Sequence, residues 1–263
     1  MKLVRLAVPL FKAGYFAIGA VYALTGYLSL SVALGMGGKI ADHEDSLQIV
    51  ARQPFGIYII PLIGLAILGY VSWRFAQAIL NADGWDKGVK GIALRCYAAF
   101  SGILYLLLAI FCFKSFLVGK VVPDEQADKE LSADVLALFW GEGLLIAAGL
   151  GFIAVSIYQI RKGLTGAFKE EFKLRELSSH EHTLLNLSGR IGLPMRGLTF
   201  GLIGAFAISS GYQSKPEAVK GTEALFVYIL AQPFGTYLLG GLAMGFMFYA
   251  MYCFISARAR VFV

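Results

Sequence analysis

Six stretches of mostly apolar sequence, at residues 13–34, 55–80, 96–118, 140–160, 191–212 and 234–256, constrain this chain more than any other feature. A bilayer core of about 30 Å is crossed by roughly 20 residues at about 1.5 Å each, and all six stretches meet that length. The fourth is interrupted near one edge by Glu142, but its core at 143–160 is still long enough to span. Only 15% of the 263 residues are charged, against roughly 25% in soluble domains. A disordered chain, a disulfide-stapled secreted domain and a soluble enzyme are therefore excluded. The pattern predicts an all-α, polytopic six-helix transmembrane bundle forming one membrane domain over 1–263.

Charge around the spans predicts orientation. Sixteen Lys and Arg residues, Lys2, Arg5, Arg74 and Arg196 among them, fall to one side, and seven, including Lys39, Lys114, Lys129 and Lys220, to the other. Acidic residues divide the opposite way, leaving +10 on the first side and −4 on the second, which together give the net +6. Both termini are expected to be cytoplasmic, with the first span a retained, uncleaved helix. The basic balance is a topology signal and does not imply nucleic acid as a partner.

The six stretches repeat in pairs. Odd helices share Gly-x-x-aromatic at Gly19 to Tyr22, Gly102 to Tyr105 and Gly197 to Phe200, each with a cation seven residues before the glycine: Lys12, Arg95 and Arg190. Even helices open with Gln53-Pro54-Phe55-Gly56 and Gln232-Pro233-Phe234-Gly235, and the middle copy keeps Phe139-Trp140-Gly141. Seventeen residues after each closing glycine comes an aromatic: Trp73, Tyr158 and Tyr252. Proline is preset for the first helical turn, so Gln-Pro-Phe-Gly reads as a helix-start motif, and the late aromatics read as interfacial. Short apolar segments at 47–51, 135–139 and 225–231 read as interfacial helices lying on the bilayer. Two helices per repeat place all three copies parallel, with pseudo-threefold symmetry and approximate repeats at 10–83, 93–166 and 188–260.

On these motifs the sequence resembles the bacterial family named domain of unknown function 1206. The resemblance implies six membrane helices in a bacterial inner membrane and brings no activity with it. Gln-Pro is missing from the middle repeat, and Ile18 stands where the family often has an arginine like Arg196, so three equivalent sites are not expected.

Ionisable groups inside a bilayer are functional candidates by default. Arg74 and Arg196 are read as lying near span ends, where long side chains snorkel to the headgroups, and none is expected at mid-depth. With Glu142, a carboxylate in the first turn of its helix, they form the candidate polar site. His43, His180 and His182 read as loop residues, which excludes axial haem ligation inside the spans. No metal, cofactor or catalytic frame is expected. Cys96, Cys112 and Cys253 form no Cys-x-x-Cys pair. Small residues at spacing four, Gly143, Ala147 and Gly151, then Gly197, Gly201 and Ala205, then Gly241 and Gly245, are expected to pack helices together. The connector at about 164–187 is expected to be cytoplasmic and amphipathic, with a surface helix at 166–177.

These features predict a membrane protein without evident catalytic chemistry. It is read as an accessory, scaffold or interaction subunit of a larger assembly, in contact with lipid and with other subunits. The alternative is a small-solute or ion transporter using the bundle interior. Structural lipids are the only bound groups expected.

Overall fold

A computed structural model describes residues 7–38, 40, 42–121, 133–138, 140–215 and 221–262. Lys2, Arg5, Lys39, Lys129, Phe139 and Lys220 fall outside that set. Among the described residues, six helices are long and apolar enough to cross a membrane: α1 (Val8–Ala33), α3 (Gly56–Ile79), α4 (Val89–Val118), α5 (Gly141–Thr165), α6 (Ser179–Gln213) and α8 (Gly235–Ala259). Two shorter helices, α2 (His43–Ala51) and α7 (Thr222–Leu230), join the members of the first and third pairs. Residues 133–136 make one helical turn at the corresponding place in the second.

The six long helices form a ring. The second helix of each pair lies along the first helix of the next, α3 on α4, α5 on α6, and α8 back on α1. Glycine permits the close crossings: a Cβ on Gly149 of α5 would stand 2.7 Å from the Gly204 carbonyl of α6, and one on Gly204 would stand 2.7 Å from the Gly149 carbonyl. In lipid such backbone approach replaces the missing hydrophobic drive between helices. The first and third pairs also pack internally, whereas α4 and α5 of the middle pair scarcely touch. The ring is open along that seam.

The helix-start motif is a corner. Phe55 and Phe234 adopt left-handed backbone at φ 61° and 59°, and the helices begin one residue later, at Gly56 and Gly235. Pro54 and Pro233 therefore stand in the turn and not in the first helical turn, which corrects the reading from proline preference. The N–H groups of Gly56, Gly141 and Gly235 donate to the carbonyls of Gln53, Leu138 and Gln232 at 2.8, 2.9 and 2.8 Å, one geometry in three repeats. A Cβ at these glycines would lie only 2.0, 1.9 and 2.2 Å from the carbonyl oxygens of Val50, Val135 and Leu230, so no other residue fits. Phe55, Trp140 and Phe234 stay exposed just before the turn, where interfacial aromatics belong.

Both ends of the ring are covered. At the α2/α7 end, Leu47, Leu225 and Phe226 are buried in the bundle, so α2 and α7 cap the helices instead of lying on the bilayer. At the other end the helix expected at 166–177 is replaced by two 3-10 segments, Ala167–Glu171 and Leu174–Glu176. Gly166, at φ 77°, ends α5, and Phe168 and Phe172 turn inward against Tyr252, with ring centroids 5.9 and 5.6 Å away. The C-terminal segment pairs with them, Val261 N–H donating to Glu171 O at 2.9 Å and Lys173 N–H to Ala259 O at 3.2 Å. Phe262 then tucks between Trp73 and Phe11. Trp73 and Tyr252 are thus core residues and not interfacial anchors. Ser178 and Glu181 form a capping box that starts α6.

Candidate functional site

Arg196 is the central residue of the 35-residue α6, and it is 2% exposed. At about 1.5 Å per residue that helix is roughly 50 Å long, more than a bilayer core requires. The arginine expected to snorkel is instead enclosed in the bundle, its guanidinium bonded to side chains of three other helices. Its Nε donates to Tyr22 Oη at 2.8 Å, Nη1 to Gln159 Oε1 at 2.5 Å and Nη2 to Tyr105 Oη at 3.1 Å. Rings of Phe200 and Tyr249 lie 4.3 and 4.7 Å from the guanidinium carbon. The repeat aromatics Tyr22, Tyr105 and Phe200 therefore meet at one cation, and Ile18 and Ser101 occupy its equivalent positions. One arginine serves three repeats.

A second buried guanidinium lies one layer below. Arg74 Nε donates to Tyr70 Oη at 2.6 Å and Nη1 to Gln77 Oε1 at 2.9 Å, and Nη2 reaches Tyr97 Oη at 3.4 Å. Gln159 and Arg74 hold the same place in their repeats, eighteen residues after Gly141 and Gly56. Among the described residues, neither guanidinium has a carboxylate among its hydrogen-bond partners. Gln77 hands on to Asp83 Oδ2 at 2.5 Å, and there the acids begin. Glu171 bonds Lys162 at 2.5 Å and pairs with Arg260, whose other nitrogen is 3.6 Å from Asp83. Burial alone would raise the Glu171 carboxyl, but Arg260 and Lys162 outweigh it and hold it at about 2.

The polar column ends on the opposite side at His43, the first residue of α2 and not a loop residue. Its ring meets Tyr22 edge-on at 4.4 Å, and its Nδ1 lies 3.2 Å from Thr25 Oγ1. Burial, followed by the charge of Arg196, lowers the imidazole pKa and keeps the ring neutral.

Along the open seam between α4 and α5 lies a cleft of about 1050 Å³. Its apolar part is walled by Leu94 and Phe100 from α4 and by Gly151, Ala154 and Val155 from α5. Its polar end, at the face of the C-terminal segment, carries Lys162, Glu171 and Arg260, with Lys90 and Arg161 also on the walls. Tyr97 joins cleft and core, because its ring lines the cleft while its hydroxyl touches Arg74.

The family model described as Domain of Unknown Function (DUF1206) matches residues 13–81, 97–166 and 191–260, each covering one helix pair of this ring. The chain belongs to the DUF1206 family. It is 31% identical over 245 residues to an uncharacterized protein, YxxB, of Bacillus subtilis (strain 168), covering 93% of this chain and 88% of that one. No solved structure matches.

Within this DUF1206 chain the three residues of the expected polar site separate. Arg74 and Arg196 share the buried column, while Glu142 is exposed at the far end of α5, where Ser214 bonds it. The small-residue positions also divide. Gly197 and Gly201 face Ser156 of α5, Gly245 faces Met195, and Gly151 faces the Phe100 ring. Gly143 and Gly241 have nothing within 4 Å, and Ala147 and Ala205 are exposed, so those positions do not pack helices within the bundle. Sequence reasoning missed Gln159, Tyr70, Tyr249 and the Glu171 clasp. The offset of eighteen residues shared by Arg74 and Gln159 was the available signal for the first.

Proposed function

We propose that this chain is a non-catalytic binding protein of the bacterial inner membrane, with both termini cytoplasmic, that takes an amphiphilic ligand from the bilayer into the cleft between α4 and α5. The observation that carries the reading is the cleft itself: a ring otherwise closed by helix contacts is left open at one seam, and that seam holds space of ligand size. Its gradient from apolar walls to a charged end matches a molecule lying along the membrane normal. By contrast, the bundle axis is filled by Arg196 and its aromatic partners, which weighs against a solute path through the centre. Orientation rests on the excess of Lys and Arg at the polar end.

Native mass spectrometry of gently extracted protein tests this. Wild-type chain should retain amphiphile, and Gly151→Trp or Ala154→Trp, which fill the cleft, should release it while Gly143→Trp should not. Retention by both cleft variants, once their folding is confirmed by thermal unfolding, refutes the proposal.

A second reading, an accessory subunit of a membrane assembly, is favoured by the outward-facing small residues Gly143, Ala147 and Gly241. It expects Gly143→Trp or Gly241→Trp to strip a stoichiometric partner protein from the extracted complex; a chain that runs alone in wild-type form excludes it.

A further inference from the structure

The cleft has a length, a polarity and a field, and together these specify an occupant. Along α4 its lining runs from Lys90 to Phe100, about 15 Å, and along α5 from Gly151 to Thr165, about 21 Å, at a helical rise of about 1.5 Å. That is roughly half of a 30 Å hydrocarbon core. The lining is apolar at the mid-membrane end and charged at the end beside the C-terminal segment, the order met by a lipid of that single leaflet.

Charge complementarity sets the head. At the polar end Lys162, Glu171, Arg260 and Asp83 are engaged with one another. Lys90 of α4 and Arg161 of α5 are exposed on the two walls, and Glu170 is the remaining acid of the lining. Behind the wall, Arg74 and Arg196 add two charges that bond no carboxylate among the described residues, and Tyr97 carries the Arg74 side of that column to the cleft surface. In a low-dielectric surrounding their field is weakly screened, so the cleft is biased toward an anion.

Resting on the reading of this cleft as a ligand seat, we propose that it holds one anionic phospholipid of the adjoining leaflet, with its phosphate between Lys90 and Arg161 and an acyl chain against Phe100, Gly151 and Val155. Membrane lipid is the source because the apolar walls would otherwise face hydrocarbon through an open seam, and free phosphate has no use for them. Zwitterionic lipid fills the apolar part equally but gains less from the cations.

The full-length chain in mixed micelles of phosphatidylglycerol and phosphatidylcholine provides the test, read by native mass spectrometry. The expected result is preferential retention of one phosphatidylglycerol. At about a fivefold effect per cation near a membrane surface, Lys90→Gln with Arg161→Gln should cut that preference by about 30-fold, while Lys90→Arg with Arg161→Lys keeps it. Equal retention of the two lipids, together with release by Gly151→Trp, overturns the anionic assignment and leaves the seat standing. Failure of Gly151→Trp and Ala154→Trp to release any lipid removes the seat and this assignment with it. Displacement of the lipid by millimolar inorganic phosphate would show a free-anion site and also overturn it. All variants are compared at matched thermal stability, since the exposed cation changes leave the core untouched.

Discussion

Tyr105→Phe offers the sharpest trial of the buried column. The change removes one oxygen that accepts from Arg196 Nη2 at 3.1 Å and donates to Tyr22 Oη at 3.3 Å, and it leaves the ring and its packing in place. A hydrogen bond to a charged group contributes about 1.5–3 kcal/mol in a protein interior, whereas pairs between membrane helices measure nearer 0.6, with a ceiling of about 1.7. The three acceptors bonded to Arg196 are all uncharged side-chain oxygens, which places the expected cost near 1.5–2 kcal/mol, or about 3–8 °C in thermal midpoint. The decisive quantity is coupling. With Arg196→Met the guanidinium is gone, so Tyr105→Phe should then cost under about 0.5 kcal/mol, giving a coupling of about 1 kcal/mol or more in a double-mutant cycle. Arg196→Met alone should fall well short of the summed cost of losing its three partners, because removing the cation also removes its desolvation penalty. Thermal unfolding in nanodiscs measures all four corners. An equal cost of Tyr105→Phe in both backgrounds would mean that the guanidinium does not organise the core.

The corners and the clasp make two further predictions. Gly56→Ala and Gly235→Ala force a methyl against a carbonyl 2.0–2.2 Å away and should each cost about 3 kcal/mol, at the upper end for overpacking, while Gly143→Ala, with nothing within 4 Å, should shift the thermal midpoint by under about 2 °C. Glu171, held at about 2 by Arg260 and Lys162, is depressed from an ordinary 4.5, so its stabilisation is complete above that ordinary value and is lost as pH falls through 2. The stake is of the order of 3 kcal/mol; a wild-type melting temperature that drops between pH 4.5 and pH 2 no more steeply than that of Glu171→Gln would refute the clasp.

Much of the fold was legible because its constraints are local. Span length follows from bilayer thickness, and the three corners share one spacing, so periodicity alone located Gly56, Gly141 and Gly235. The candidate site was less so. Arg196 was read from the apolar run 191–212, which begins only five residues before it, and the helix start at the Ser178 capping box, far upstream, is what makes it central. Likewise, Phe168 and Phe172 have the spacing of a surface helix, and only the aromatic floor offered by Tyr252 turns them inward.

By itself, then, the sequence determined the number and pairwise repetition of the spans, since hydrophobic thickness and turn chemistry act over a few residues. The tertiary structure decided which polar groups meet. The partners of Arg196 stand 174, 91 and 37 residues from it, and a buried cation finds them only when three repeats close into a ring. The same closure decided where the ring stays open, because α4 and α5 are equally apolar wherever they lie, and their separation is set by the neighbours each is packed against.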